Sequence, residues 1–407
     1  MAKSKKHTPD IHEANRLKRL PLYLFTIIDG LKRQARAQGV DVIDLGMGNP
    51  DLPTPKHIVD ALIQAAKDSE NHRYSRPGDD VEKKLDSAIA HYYNDRFGVN
   101  LNPDTEVVPL IGSKEGIAHL SLAFLNPDDI GLVANPAYPV HFNGVILAGG
   151  ILYNVPLSRE SGFQLNLNDI PHEVVRRSKL LFLSYPHNPT AATVDLEFFE
   201  KVVRWAKDKD IIIGHDAAYS DIVFDGYKAP SIMQVKGVDK LPIVEFHTMS
   251  KSYNMAGWRI GYVVGNSKIL NGLAKTKSYI DFGNFRAVQL AAAKALTGPQ
   301  DCVRKNVEIY KKRRDLFVDG LNRIGWQVDK PKATFYVWAH IPEKYRGLTS
   351  MEFAALLIKE AGVAVAPGTG FGEYGEGYVR FALVSPEDRL KIALQRIEGF
   401  LKLDVGP

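Results

Sequence analysis

The stretch HTMSKSYNMAGWRIG, residues 247–261, places one lysine among hydroxyl groups and an arginine shortly after it. Lys251 follows Thr248 and Ser250, and Arg259 lies eight residues further along. An amine can act as a nucleophile or a base, while hydroxyl and guanidinium groups can bind a phosphate. The alternative is a basic surface loop, which is an ordinary setting for a lysine in a chain with 52 Lys and Arg residues.

Further polar residues stand where apolar runs end. IIIGHDAAY reaches Asp216 and then Tyr219, and LLFLSYPHNPT reaches Asn188. VVPLIGSKEG reaches Ser113 and Lys114 at a predicted helix start, where backbone N–H groups favour a phosphate. Taken alone, each has a structural explanation as a helix cap, a turn or a surface acid. Together they would bring a carboxylate, an amide, a phosphate-binding turn and an amine to one sheet edge.

The elements that must position these residues are strands alternating with helices, which predicts an α/β fold with a mostly parallel sheet flanked by helices. One helix is predicted within DLEFFEKVVRWAKDKD, residues 195–210, with Asp195 as its N-cap. The predicted strands cover residues 107–112, 130–135, 150–157, 179–186, 211–216, 243–249 and 259–265.

The pattern changes near residue 300 and predicts a smaller α+β domain. Helices are expected at 301–323, near 350–361 and near 386–403, with short apolar runs between them. We expect an N-terminal arm that is also part of the small domain, a large domain and a small C-terminal domain, over residues 1–47, 48–295 and 296–407. GTGFGEYGEG, residues 368–377, lacks the strand–turn–helix setting of a nucleotide motif and is interpreted as a flexible loop.

Composition excludes several classes. The 407 residues are 45% hydrophobic and 24% charged, with a net charge of +5 that is dispersed apart from the opening MAKSKK, so we expect no nucleic-acid partner. One cysteine, Cys302, excludes an internal disulfide framework. No apolar run approaches a membrane span, and the opening residues do not resemble a signal peptide. We therefore expect a cytoplasmic protein with no membrane partner.

Nearly the whole chain, from DLGMGNPDLPTP to GYVRFALV, resembles the class I, fold-type I aminotransferases, which depend on pyridoxal 5′-phosphate. The resemblance matches Lys251 to the Schiff-base lysine and Asp216 to the partner of the pyridine nitrogen. It matches Asn188 and Tyr219 to donors to the ring hydroxyl, and Tyr138 in NPAYP to the ring stacked on the pyridine. The residues matched to phosphate ligands are Ser113, Lys114, Thr248, Ser250 and Arg259.

The resemblance also implies substrate and partner residues. Arg380 matches the arginine that binds the substrate α-carboxylate, and the other residues matched to substrate binding are Asn188, Gly48 and Tyr23. Tyr74 in HRYSRPGD matches a tyrosine that reaches the cofactor phosphate of a neighbouring subunit, which implies a homodimer with shared active sites. The chemistry of the residues agrees, because a dry pocket and nearby cations would lower the pKa of Lys251 and allow it to act as a base.

The substrate prediction depends on a departure from the family pattern. The family usually has NPTG, whereas this chain has NPTA with Ala191. With SKSYNMAGWRIG, DLEFFEKVV and APSIMQV, this resembles the bacterial glutamate–pyruvate (alanine) transaminases. The prediction is transamination between L-alanine and 2-oxoglutarate, with small amino acids and 2-oxo acids as substrates. The alternatives are an LL-diaminopimelate or aspartate aminotransferase, a carbon–sulfur lyase, and a non-catalytic ligand-sensing domain.

The resemblance leaves the group that binds the distal carboxylate of glutamate open. The basic candidates are Arg73, Arg76, Lys277 and Arg286.

Overall fold

The structure is a computed structural model that describes residues 11–21 and 24–403. Tyr23, one of the predicted substrate-binding residues, therefore lies outside the described residues. No helix in the described part of the chain is long and apolar enough to cross a lipid bilayer.

Helices and strands are numbered here in chain order. The strands are β1 Ile43–Asp44, β2 Val107–Leu110, β3 Ile130–Asn135, β4 Ile151–Pro156, β5 Ser178–Ser184, β6 Ile212–Asp216, β7 Ile243–Thr248, β8 Gly261–Gly265, β9 Tyr336–His340, β10 Val363–Ala364, β11 Ala366–Pro367 and β12 Tyr378–Ala382. The helices are α1 Asn15–Lys18, α2 Leu24–Ala37, α3 Lys56–Lys67, α4 Asp80–Phe97, α5 Ser113–Phe124, α6 Val140–Leu147, α7 His172–Arg177, α8 Leu196–Ala206, α9 Met249–Ser252, α10 Ser267–Ile280, α11 Arg286–Thr297, α12 Asp301–Arg323, α13 Ser350–Ala361 and α14 Glu387–Lys402.

The large sheet has the strand order β2-β8-β7-β6-β5-β3-β4. Neighbouring strands run parallel except at β8, which is antiparallel to both β2 and β7. The predicted fold class, a mostly parallel sheet flanked by helices, is confirmed. The seven predicted strands all occur, and Asp195 caps α8 by accepting a hydrogen bond from the backbone N–H of Phe198 at 2.9 Å.

Both faces of this sheet are buried because successive strand side chains point to opposite sides. On β5, Leu181 and Leu183 belong to one hydrophobic core, whereas Leu180 and Phe182 belong to the other. The polar residues of the strands therefore collect where the strands end.

A separate core joins the segment 28–45 to the C-terminal part of the chain. It lies around the three-stranded sheet β11-β12-β9 and includes Leu45, Val337, Phe353 and Phe381. The predicted helices 301–323 and 350–361 match α12 and α13.

The glycine-rich segment 368–377 differs from the predicted flexible loop. It forms two 3-10 turns, Gly368–Phe371 and Glu373–Gly375. The backbones of these turns pack together, because a Cβ on Gly368 would lie 1.8 Å from the carbonyl oxygen of Gly375. Phe371 is fully buried and its carbonyl accepts a hydrogen bond from the backbone N–H of Ala137 at 2.7 Å. Small residues allow this close packing.

Candidate active site

A cavity of about 430 Å³ lies where β5, β6 and β7 end and α5 begins. It is lined by most of the residues that the sequence singled out. These are Gly48, Ser113, Lys114, Tyr138, Asn188, Asp216, Tyr219, Thr248, Ser250, Lys251, Arg259 and Arg380. They come from segments more than 300 residues apart and meet because parallel strands end at the same sheet edge.

Lys251 lies half-buried on α9, directly after β7. Thr248 caps this short helix by accepting a hydrogen bond from the backbone N–H of Ser250 at 3.2 Å. The Nζ of Lys251 donates to the carbonyl oxygen of Gly48 at 2.9 Å. Burial lowers the pKa of Lys251 to about 8, and the cations Arg380 and Arg259 act in the same direction, while Asp216 opposes them. The amine can therefore be neutral near physiological pH.

The end of the cavity at α5 has the features of an anion site. Gly112 precedes α5 with a φ of 80°, and its missing side chain leaves room for Arg259, whose Nη2 would lie 2.4 Å from a Cβ there. The guanidinium of Arg259 donates to the carbonyl oxygen of Ala256 at 2.9 Å. Ser113 and Lys114 begin the helix, so their backbone N–H groups are not bonded within it. Desolvation, together with Arg259, lowers the pKa of Lys114.

Asp216 ends β6 on the sheet face that carries α5 and α6. The Nε2 of His141, on α6, lies 3.2 Å from its Oδ2, and the backbone N–H of Ala218 donates to its Oδ1 at 3.2 Å. His141 is itself buried and stacked on Phe182, with ring centroids 5.5 Å apart. These hydrogen bonds fix the orientation of the Asp216 carboxylate, which can accept a further hydrogen bond from a cationic ring nitrogen.

Arg380 lies on β12 and is buried against two aromatic rings. Its guanidinium carbon is 4.0 Å from the ring centroid of Tyr336 and 4.5 Å from that of Phe371. Its Nη1 donates to Oδ1 of Asn188 at 2.7 Å, and its Nη2 donates to the carbonyl oxygen of Gly46 at 2.9 Å. The Nε of Arg380 has no hydrogen-bond partner among the described residues. A buried cation of this kind can bind a carboxylate.

Tyr336 is a site residue that the sequence analysis missed. Its hydroxyl forms a 2.7 Å hydrogen bond with that of Tyr219, and it would lie 2.0 Å from a Cβ on Gly48. Gly48 therefore has to be glycine for this ring to fit. Burial, with Tyr336 adding to it, raises the pKa of Tyr219 well above its usual value, so this hydroxyl keeps its proton. What identifies Tyr336 as a site residue is the pairing of β9 with β12. This pairing sets Tyr336 opposite Ala382, two residues from Arg380.

Tyr74 lies outside this cavity. Its side chain is 80% exposed and contacts the ring of Phe282 edge-on, with centroids 5.5 Å apart. It lines a second hollow of about 850 Å³, together with Arg73 and Arg76. Tyr74 is therefore exposed in a position where it can contact another molecule.

The basic candidates for the distal carboxylate are not among the cavity's lining residues. Lys277 is buried elsewhere, where its Nζ lies 2.8 Å from Glu115 and 3.1 Å from Asp281. Arg286 lies 3.5 Å from Asp79, in an ion pair. Glu115 and Asp281, with His119, are also close enough together to hold a metal ion, but Lys277 already supplies the positive charge there.

The charges of the cavity fit a ligand with several negative charges. Four lining residues are cationic, Lys114, Lys251, Arg259 and Arg380, whereas Asp216 is the one acidic residue among the described lining. A phosphate at the start of α5 and a carboxylate beside Arg380 would balance this excess. Pyridoxal 5′-phosphate provides the phosphate, an aldehyde for an amine and a ring nitrogen for a carboxylate.

Residues 40–397 match the family described as aminotransferase class I and II. The chain belongs to this family, whose cofactor is pyridoxal 5′-phosphate. It is 48% identical to an LL-diaminopimelate aminotransferase from Moorella thermoacetica, over 96% of this chain and 99% of the relative. It is 49% identical to the glutamate-pyruvate aminotransferase AlaC from Escherichia coli, over 96% and 94% of the two chains.

A solved structure of apo-BacF from Bacillus subtilis superposes with a TM-score of 0.92 at 37% identity, covering 98% of this chain and all of that one. Further relatives that are 46% to 49% identical carry the LL-diaminopimelate aminotransferase name. The protein is thus an aminotransferase that acts on amino acids and 2-oxo acids.

Proposed function

We propose that the protein transfers the amino group of L-alanine to 2-oxoglutarate, giving pyruvate and L-glutamate. The observation that carries the aminotransferase chemistry is that one cavity holds Lys251, Asp216 and Arg380 together. The bound cofactor supplies an electron sink that stabilises negative charge at the substrate Cα. The side chains bind and orient the substrate and move its proton.

In this proposal Lys251 anchors the cofactor aldehyde and then removes the Cα proton. Its lowered pKa supports this role, because a base must be neutral before it accepts a proton. Asp216 would keep the ring nitrogen protonated, Asn188 and Tyr219 would donate to the ring hydroxyl, and Tyr138 would stack on the ring. The residues that would hold the phosphate are Ser113, Lys114, Thr248, Ser250 and Arg259.

Arg380 binds the α-carboxylate and so orients the substrate. The rings of Tyr336 and Phe371 pack against its guanidinium. A carboxylate held there would direct the Cα–H bond toward Lys251, which would favour proton removal over decarboxylation. Gly48 lines this side of the cavity, and the resemblance assigns Tyr23 to substrate binding as well. Because every amino acid has an α-carboxylate, Arg380 cannot select among side chains.

The choice of alanine rests on the family motifs around Ala191 and on what the cavity offers a side chain. The methyl group of alanine needs no polar partner. LL-Diaminopimelate, in contrast, has a second ammonium group that requires an acid or other acceptor when buried. Asp216 is the one carboxylate among the described lining residues, and it already accepts hydrogen bonds.

LL-Diaminopimelate is the second candidate, and the names of the relatives favour it. The relatives with that name and AlaC are equally similar to this chain, with identities of 46% to 49%. Overall identity therefore does not separate the two substrates, and a partner subunit could supply an acid for the distal ammonium group.

The test is a panel of single-turnover half-reactions, followed by the absorbance of the cofactor. The donors are L-alanine, L-glutamate, L-aspartate and LL-diaminopimelate. We expect alanine and glutamate to react at least about tenfold more efficiently than the other two, a difference of about 1.4 kcal/mol. The control is Arg380→Lys, which should slow all four donors by a similar factor. If LL-diaminopimelate reacts faster than alanine, the alanine assignment is wrong.

We further propose a cytoplasmic homodimer in which each subunit completes the site of the other. The exposed aromatic side chains of Phe282 and Phe285, beside Tyr74, support an interface there, because monomers rarely expose large apolar patches. The contribution of Tyr74 to the partner's phosphate site is part of this proposal.

A further inference from the structure

A buried carboxylate lies beneath the active site, on the other face of the sheet. Glu245 is in the middle of β7 with no exposed surface, and its backbone neighbours Val244 and Phe246 are also fully buried. Five groups donate hydrogen bonds to it. Its Oε1 accepts from Tyr93 at 2.7 Å, Ser231 at 2.7 Å and His247 at 3.1 Å, and its Oε2 accepts from His215 at 2.8 Å and the backbone N–H of Ile232 at 2.9 Å.

The five donors require an ionised carboxylate, because a protonated one would need an acceptor for its own proton. Burial by itself would raise the pKa of Glu245, but the hydrogen bonds from His215 and His247 outweigh it and hold the pKa well below its usual range. A buried charge contributes little to stability compared with a well-packed apolar side chain. Its presence in a strand that otherwise fills the core therefore needs another explanation.

The position of the two histidines supplies that explanation. His215 is the cross-strand neighbour of Glu245 on β6, and the next residue along β6 is Asp216. His247 follows on β7, and the next residue is Thr248, which caps the helix that carries Lys251. The carboxylate of Glu245 is therefore bonded to the residue that precedes the end of each strand.

The carboxyl ends of β6 and β7 carry two different functional residues of the site. In the proposed function, Asp216 and Lys251 must keep a fixed separation, since one would hold the ring nitrogen of the cofactor and the other its aldehyde. Backbone pairing holds β6 against β7 as far as Asp216 and Phe246, and the backbone N–H of Ala217 donates to the carbonyl oxygen of Phe246 at 2.9 Å. The pairing of β6 with β7 ends there, while β7 stays paired with β8 as far as Thr248. The hydrogen bonds of Glu245 with His215 and His247 add a side-chain restraint just before these strand ends.

We propose that Glu245 is a positioning residue for the transamination site: through His215 and His247 it holds the ends of β6 and β7 so that Asp216 and Lys251 stay correctly spaced. This rests on the proposed roles of Asp216 and Lys251 but not on the choice of alanine. Arg380 lies on β12, outside this network, so substrate binding should be separable from it.

The first test is Glu245→Gln, which keeps the shape and removes the charge. With the fastest amino donor of the wild-type enzyme, we expect kcat to fall by about tenfold to 10²-fold, the scale of a misplacement of reacting groups by up to 1 Å. KM for the donor should change by less than about twofold, because Arg380 is untouched. The increase in Tm when cofactor is added to cofactor-free protein should shrink, since weaker binding stabilises less.

The second test is a matched pair that stays informative even if Glu245→Gln does not fold. His247→Phe and Tyr93→Phe each keep a ring in place and delete one hydrogen bond to the same oxygen, Oε1 of Glu245. Only His247 belongs to a strand that leads to the site, whereas Tyr93 lies on α4. We expect both variants to lower the Tm of the cofactor-free protein, and only His247→Phe to lower kcat and the cofactor-induced rise in Tm.

The outcomes separate positioning from general stability. Equal losses of kcat in His247→Phe and Tyr93→Phe would show that Glu245 only stabilises the core. Unchanged kcat and cofactor-induced Tm in Glu245→Gln or in His247→Phe would also overturn the proposal. If the wild-type enzyme reacts faster with LL-diaminopimelate than with alanine, the same variants are assayed with that donor. Failure of the alanine assignment can then be distinguished from failure of the proposed role of Glu245.

Discussion

At the scale of single residues, the central property is the lowered pKa of Lys251. Burial and the cations Arg380 and Arg259 lower this pKa to about 8, so the amine gains its neutral form as the pH rises through 8. We expect the rate at which cofactor-free protein captures pyridoxal 5′-phosphate covalently to rise with pH and to level off above about 8.

The control for this pH profile is Lys251→Ala, which should show no covalent capture at any pH. Stopped-flow absorbance measures the rate. A profile that still rises toward 10.5, the ordinary value for a lysine, would contradict the proposed environment of the amine.

Ala191 stands where the family usually has glycine, and the local backbone structure is kept. Its φ is 59°, in the left-handed region that glycine enters without strain. The turn is held by a hydrogen bond from the backbone N–H of Ala191 to the carbonyl oxygen of His187 at 2.9 Å. The substitution therefore leaves the loop that carries Asn188 in place.

At the scale of elements, the turn between β2 and α5 decides whether Arg259 reaches the phosphate end of the cavity. Gly112→Ala would put a Cβ 2.4 Å from the guanidinium, in a backbone with a φ of 80°. We expect the displaced Arg259 to weaken cofactor binding by about tenfold, the loss of about one charge-assisted hydrogen bond. Equilibrium titration of the cofactor-free variant with pyridoxal 5′-phosphate measures this change in affinity.

Gly98→Ala is the matched control for this turn. Gly98 also has a positive φ, 67°, at the end of α4, but a Cβ there would meet nothing within 4 Å. It should cost about 1 kcal/mol of stability through backbone strain and leave cofactor affinity unchanged. Equal loss of affinity in the two variants would show that strain, rather than Arg259, is responsible.

At the scale of the whole molecule, the prediction concerns the proposed dimer with shared sites. If Tyr74 reaches the partner's cofactor, Lys251→Ala and Tyr74→Phe homodimers should both be impaired. Subunits of the two kinds, mixed and re-dimerised, should then regain activity, because one site of each hybrid has its own Lys251 and borrows an intact Tyr74. A clearly impaired Tyr74→Phe enzyme whose hybrids recover nothing would exclude shared sites.

The division into domains is likewise a proposal at this scale, with bounds at 47/48 and 295/296. It is supported by the core that joins residues such as Ile28 and Leu45 to Val379 and Phe381, separately from the cores of the large sheet. The N-terminal segment and the C-terminal part would then form one unit.

The sequence by itself determined the seven strands of the large sheet, the helices α8, α12, α13 and α14, and most of the residues that line the cavity. Strand alternation, the N-cap Asp195 and the polar residues at strand ends are local signals, because each depends on neighbours within a few residues. Since parallel strands end at one edge, the same signals brought Asp216, Asn188 and Lys251 together correctly.

Only the tertiary structure decided which distant residues support this site. Tyr336 enters it through the pairing of β9 with β12, and Glu245 contacts His215 across two strands. Neither contact can be predicted from the neighbouring residues in the sequence. Tyr336, for example, looks like any aromatic residue of a buried strand. The exposure of Tyr74 depends in the same way on the packing of the whole chain. Long-range pairing sets these positions, because side-chain contacts form only after the strands have found their register.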